Sequence, residues 1–202
     1  FWVTLLALSG MSMSFAGAQN SIVAWGEQIP GLDLSHGFVG VAGGASNSIG
    51  LKEDGSILIW GSNSYGQLNV PSPNSGFGAL SAGDYHVLGL KTSGSIVAWG
   101  RNSDGQCNVP SPNSDFVAVS GGATHSLGLK GNGSIVAWGN GDFGQTNIPA
   151  PNTSFIAVSA GGYHSLGLKA NGSIVAWGWN NYGQARVPSP NSGFIAVAAG
   201  TY

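Results

Sequence analysis

Three histidines, His86, His125 and His164, stand 39 residues apart, and evenly spaced histidine raises metal binding or acid–base catalysis first. A shared zinc needs its ligands about 2 Å from one point, whereas equivalent residues on neighbouring stacked sheets lie about 10 Å apart. The three are therefore expected to be structural, bonding through their ring nitrogens to nearby backbone. Glu27, Asp33, Glu53, Asp54, Asp84, Asp104, Asp115 and Asp142 are scattered and form no repeating carboxylate pair. Serine is abundant, but there is no Gly-x-Ser-x-Gly elbow, no His-Glu-x-x-His and no phosphate loop. Only a Ser-His-Asp set assembled across repeats stays open to a hydrolase. No catalytic residue, metal or cofactor is expected. Gln67, Gln106, Gln145 and Gln184 recur at one position and are expected to tie turns together.

These residues are positioned by a repeat. Ser-Ile-Val-Ala-Trp-Gly occurs at 21–26, 95–100, 134–139 and 173–178, with Ser-Ile-Leu-Ile-Trp-Gly at 56–61, so that Trp25, Trp60, Trp99, Trp138 and Trp177 are spaced by 35, 39, 39 and 39 residues. A fixed period in that range marks a solenoid or a propeller. The tryptophans lie within apolar strands and are expected to serve packing. In the unit 95–133, Phe116–Ser120, His125–Lys130 and Ile135–Trp138 read as strands, being short and rich in β-branched, aromatic and small residues. Lys-x-x-Gly-Ser between the second and third supplies a tight hairpin turn, because Gly133 and its equivalents tolerate positive φ. A short fourth strand is expected over Gln106–Val109. Pro110 and Pro112 stop it, and Pro-Ser-Pro-Asn-Ser connects to the next unit.

Each unit thus reads as a four-stranded antiparallel sheet that is apolar or small on both faces. Both faces must be covered, and Gly89, Gly128 and Gly167 within a strand allow close approach of a neighbour. Radial stacking meets this demand, so the expected fold is an all-β, β-propeller of four-stranded antiparallel blades, with a linear β-solenoid as the rival. The repeats fall near 21–55, 56–94, 95–133, 134–172 and 173–202, and the chain is expected to be an incomplete N-terminal portion of a larger ring.

Charge is sparse, with 6 Lys+Arg against 8 Asp+Glu, and Lys52, Lys91, Lys130 and Lys169 occupy one repeat position. No basic patch offers itself to nucleic acid. Residues 1–18, FWVTLLALSGMSMSFAGA, join an apolar run to Ala16-Gly17-Ala18, which fits the end of a secretory signal. Residues 1–18 are accordingly expected to be a signal peptide remnant and 19–202 an exported propeller, secreted, periplasmic or on the cell surface. No membrane span is expected in the mature chain. Cys107 replaces Leu68, Thr146 or Ala185 in other repeats and is read as incidental.

With Gly122, His125, Leu127, Leu129, Gly133, Trp138, Gly139, Gly144 and Gln145 laid out, the repeat resembles the regulator of chromosome condensation family. The first repeat departs from the pattern, with Asn47 in place of the histidine. The resemblance implies a propeller of seven blades. The family's eukaryotic exchange factor uses a loop projecting from one blade, for which the constant spacing leaves no insertion. The short repeat is more similar to secreted bacterial members, among them a propeller-type inhibitor of β-lactamase.

Fold does not convey function, so the binding face must be found from the residues. In an antiparallel blade the first and third loops emerge at one end, and the hairpin turn and connector at the other. The second end is monotonous. At the first end one loop carries Ser46, Tyr85, Thr124, Tyr163 and Tyr202, and the other carries Tyr65, Asp104, Phe143 and Tyr182 beside Glu27, Ser62, Arg101, Asn140 and Trp179. Tyr, Trp and Arg are the types that dominate interface hot spots. The candidate protein-binding residues are therefore Tyr65, Tyr85, Arg101, Asp104, Phe143, Tyr163, Trp179, Tyr182 and Tyr202. The expected function is a secreted, non-catalytic scaffold for a protein partner. A structural cell-surface or matrix role is the alternative, followed by an extracellular enzyme inhibitor and a propeller hydrolase.

Overall fold

The strands form where β-branched and aromatic residues cluster, and they end where glycine or proline interrupts them. The computed structural model describes residues 37–202. Residues 1–18, expected to be a signal remnant, lie outside the described residues, as do the 21–26 segment, Trp25 and Glu27. Among the described residues there are twelve strands in four sheets, each sheet antiparallel and consecutive in order. β1 (Phe38–Gly43), β2 (Asn47–Lys52) and β3 (Ile57–Gly61) make the first. β4 (Phe77–Ala82), β5 (His86–Lys91) and β6 (Ile96–Gly100) make the second. The third holds β7 (Phe116–Gly121), β8 (His125–Lys130) and β9 (Ile135–Gly139). The fourth holds β10 (Phe155–Ala160), β11 (His164–Lys169) and β12 (Ile174–Gly178). Residues 194–202 follow as the start of a further unit, with the Ala199 N–H donating to Ser159 Oγ at 2.9 Å.

The blades are three-stranded, which corrects the expectation of a fourth strand over Gln106–Val109. That segment spends its backbone groups elsewhere. The Cys107 N–H donates to Asn102 Oδ1, the Asn108 N–H to the Gly105 carbonyl and the Val109 N–H to the Cys107 carbonyl. Pro110 and Pro112 offer no N–H. One side chain takes over the ladder: Asn113 Oδ1 accepts from the Ile96 N–H at 2.7 Å, and its Nδ2 donates to the Ile96 carbonyl at 2.8 Å. Asn74, Asn152 and Asn191 repeat this clamp on Ile57, Ile135 and Ile174.

The core lies between the blades. One apolar cluster joins Ile49, Leu51 and Ile57 to Phe77, Val87 and Trp99 of the next sheet. A second joins Leu88, Leu90 and Ile96 to Phe116 and Trp138. A third joins Leu127, Leu129 and Ile135 to Phe155, Val158 and Trp177. Burying the middle strand on both faces demands this stacking, and β8 is buried from His125 to Leu129. Gly128 makes room as expected, though for more than the neighbouring sheet. A Cβ there would meet Phe116 Cε1 of its own sheet at 2.5 Å and Ile96 Cδ1 of the previous blade at 3.3 Å.

Polar ties close the same seams. His86 Nε2 bonds Ser126 Oγ at 2.9 Å, and Ser126 Oγ and Trp138 Nε1 both donate to the Gln106 carbonyl. His125, Ser165, Gln145 and Trp177 form the same set one seam on. Along the axis, Ala45 N–H donates to the Asp84 carbonyl, Asp84 N–H to Gly122 and Ala123 N–H to Gly162, linking the inner loops blade to blade. Residues 43–45, 82–84, 121–123, 160–162 and 199–201 together line one cleft of about 400 Å³. The inner strands therefore surround a common axis, and the molecule is an arc of a β-propeller.

Candidate functional site

Two backbone devices shape the loops at one end of every blade. A glutamine, fully buried in the first three blades and half-buried in the fourth, accepts, through Oε1, the N–H of the residue two positions before it: Gln67 from Tyr65, Gln106 from Asp104, Gln145 from Phe143 and Gln184 from Tyr182, at 2.8–2.9 Å. This anchors the loop while its variable side chain stays outside. Next, the residue after the outer strand's glycine donates its N–H to the carbonyl of the other loop. Arg101 donates to Tyr85, Asn140 to Thr124 and Trp179 to Tyr163, each at 2.9 Å. The intervening Gly100 has φ +102° and a Cβ there would meet the Tyr85 carbonyl oxygen at 2.6 Å, so this staple requires glycine.

The staples bring all nine candidate residues together in two clusters. In the first, the Tyr65 and Tyr85 rings stand 5.1 Å apart, the Arg101 guanidinium lies 5.7 Å from the Tyr65 centroid, and Arg101 pairs with Asp104 at 3.4 Å. In the second, Trp179 is the hub. Its ring lies 5.8 Å from Phe143, 5.9 Å from Tyr163, 5.3 Å from Tyr182 and 5.8 Å from Tyr202, mostly edge to face. Such pairs add about 0.5–1.5 kcal/mol beyond their buried area. The rings thus pack on neighbouring loops and still reach solvent, Tyr182 being 76% and Tyr202 69% exposed. Thr124 and Asn140, the stapled pair of the third blade, carry no ring and divide the clusters.

The opposite end is a uniform structural clasp. Lys91 and Lys169 donate to connector carbonyls, Lys91 to Pro73 and Ser75 and Lys169 to Pro151 and Thr153. Lys130 does the same to Pro112 and Ser114. Their ammonium groups stand 3.4–4.4 Å from the Phe77, Phe116 and Phe155 centroids. This is why one repeat position is always lysine.

The Ser-His pairs are struts by geometry. The single hydroxyl hydrogen of Ser126 goes to the Gln106 carbonyl, so its oxygen must accept from His86 Nε2–H. A general base needs the reverse polarity. His86 and His125 are fully buried, and no partner meets their Nδ1 atoms among the described residues. Burial pushes both imidazoles down from 6.5 to about 4, which keeps them neutral. Burial likewise raises the Cys107 thiol to about 11, so it is no reactive thiolate. Among the described residues no group of three His, Cys, Asp or Glu could hold a metal ion, and no helix is long and apolar enough to cross a membrane.

Sequence reasoning passed over Asp84, which lines the axial cleft. The available signal was its position: Ala45, Ala123, Gly162 and Thr201 occupy it in the other repeats.

Comparison with known proteins agrees with this architecture. The regulator of chromosome condensation (RCC1) repeat matches residues 38–67, 79–106, 116–145 and 155–184, over half of the chain. A search of curated proteins finds no match. Among solved structures, the ectodomain of the Physcomitrella patens receptor kinase CR4 superposes with a TM-score of 0.69 at 28% identity, covering 82% of this chain and 47% of that one. Prp20p from Saccharomyces cerevisiae, whose binding to Gsp1p and histones has been described, superposes at 0.66 and 20% identity, covering 81% and 50%. The chain spans about half the length of these structures. Four matched repeats, each supplying the His or Asn, Leu-Lys, Gly-Ser-Ile and Trp-Gly positions of one interlocked blade, show that the chain belongs to the regulator of chromosome condensation repeat family.

Proposed function

We propose that the chain is an exported, non-catalytic scaffold that binds a protein partner through its aromatic loop end. The observation that carries this reading is the segregation of variability. One end joins nine variable residues into two solvent-reaching clusters on anchored loops, while the other end repeats a single lysine and asparagine clasp. Anchored aromatic side chains lose little conformational freedom on binding, which favours them as interface anchors. Export rests on the apolar 1–18 segment ending Ala16-Gly17-Ala18. The 28% identical ectodomain of CR4 supports an extracellular setting, and the binding properties of Prp20p support a protein partner.

Two measurements test it. Fractionation of the tagged protein is expected to find it outside the cytoplasm without residues 1–18; cytoplasmic, uncleaved protein would remove the export claim. Cross-linked capture from the native surroundings is expected to yield one stoichiometric partner, at least five-fold less with Tyr182→Ala and unchanged with Ser111→Ala, both positions being exposed. Capture of the chain's own copies alone would favour the structural surface role instead.

A further inference from the structure

The charges divide between the two ends. All four lysines stand at the clasp end with Glu53, Asp54 and Asp115, whereas Asp84, Asp104 and Asp142 lie on the aromatic end among the described residues. Two bases stand there: Arg101, already paired with Asp104, and the exposed Arg186, whose N–H donates to the Gly183 carbonyl. Asp84 differs from the other two acids. Asp142 accepts from Asn140 Nδ2, but the Asp84 carboxylate has no hydrogen-bond or ionic partner among the described residues. Its backbone is fixed on both sides, since its N–H donates to Gly122 and its carbonyl accepts from Ala45. The carboxylate is therefore held, partly buried, in a cleft of about 400 Å³ that is otherwise lined by glycine, alanine and one threonine. Desolvation raises its pKa, the mark of a partly buried negative charge lacking a countercharge. The neighbouring residue, Tyr85, belongs to the first aromatic cluster.

We propose that the axial cleft beside Tyr85 receives a lysine or arginine side chain of the partner protein, which pairs with Asp84 at the centre of the aromatic end. The inference rests on the reading of that end as the binding face and specifies the chemistry of what docks there. The tiny lining residues leave room for a long, thin side chain. The carboxylate supplies its countercharge, and Tyr85, the next residue along the chain, carries an aromatic ring of the kind that attracts cations. A phosphate-bearing partner would meet repulsion from the same group.

The full chain, labelled with ¹⁵N, is titrated with N-acetyl-arginine amide, with N-acetyl-lysine amide and with the uncharged isostere N-acetyl-citrulline amide. The two cations are expected to give saturable shifts at the amides of Asp84, Tyr85, Gly122 and Gly162, with citrulline at least five-fold weaker. Asp84→Asn, which removes a carboxylate that bonds nothing, is expected to abolish the difference while leaving the spectrum folded. Asp142→Asn is expected to leave it unchanged. Equal shifts with citrulline, an unaltered response in Asp84→Asn, no saturable shift, or shifts confined to the Asp104 and Asp142 loops would each overturn the inference. If it fails while Tyr182→Ala still reduces partner capture, the binding face stands and only the Asp84 pairing is lost.

Discussion

Gly122 shows how little tolerance the axis has. A Cβ there would sit 2.4 Å from His125 Cε1 and 2.6 Å from the Gly161 carbonyl oxygen of the next blade. One atom is backbone and the other belongs to a buried ring tied to Ser165, so neither can yield cheaply. Gly122→Ala is expected to lower the unfolding free energy by about 1–3 kcal/mol or more, read from the urea midpoint. Asn113 makes the opposite point about an apparently bland connector. Its amide alone satisfies both backbone groups of Ile96, so Asn113→Ala should cost about 1–3 kcal/mol, while Ser111→Ala two residues earlier should change stability by less than about 0.5 kcal/mol. Asparagine can mimic a peptide edge, and sequence periodicity alone does not reveal which edge it meets.

Between sheets, the first seam departs from the others in two linked places. Asn47 replaces the histidine of the tie and Val87 replaces its serine, while Trp99 still donates to the Gln67 carbonyl at 2.9 Å. Both polar atoms of the Asn47 amide are buried without a partner among the described residues. Restoring the pair by Asn47→His with Val87→Ser should give a favourable coupling of about 0.5–3 kcal/mol in a double-mutant cycle, with each single change destabilising. Additive single and double effects would show that the seam cannot accommodate the tie. The intact ties also set a pH dependence. The folded pKa of His86 and His125 is about 4 against 6.5 in the unfolded chain, so between these values the unfolded state binds more protons. Stability is fully present above about pH 6.5 and falls as pH drops toward 4. At roughly 1.4 kcal/mol per pKa unit this is on the order of 3 kcal/mol per histidine. Urea midpoints measured across that range should decline, and His125→Gln should decline less steeply from a lower starting value.

For the whole molecule, stability and binding are assigned to opposite ends. Lys130 donates to two connector carbonyls and stands 3.9 Å from the Phe116 centroid, so Lys130→Met should cost about 1–2 kcal/mol of stability while leaving partner capture intact. Tyr182 is mostly exposed and should behave in the reverse way. Tyr163 is half-buried against Phe143 and Trp179, and Tyr163→Ala should affect both measurements. If Lys130→Met reduced capture as strongly as Tyr182→Ala at equal folded fraction, the division between ends would be lost.

Periodicity and strand patterning determined that the chain is an array of stacked antiparallel units. The 39-residue spacing, the Lys-x-x-Gly-Ser turns and strands apolar on both faces leave few ways to cover so much surface, and His125–Lys130 forms a strand with the bounds its residue types imply. The separation of a variable end from a uniform end was also legible, because strand direction follows from the order of short antiparallel elements. Tertiary structure decided what depends on meetings distant in the chain. Gln106–Val109 has strand-like residues but gives its hydrogen bonds to Asn102, its own turn and the next blade, so no fourth strand forms. The role of the histidines depended on a serine forty residues away and on which atom received that serine's only hydrogen. Asp84 stood out in sequence only as an exception to a small-residue position. Its unpaired carboxylate acquires meaning because five inner loops converge on one axis, a convergence produced by packing between blades rather than by any local preference.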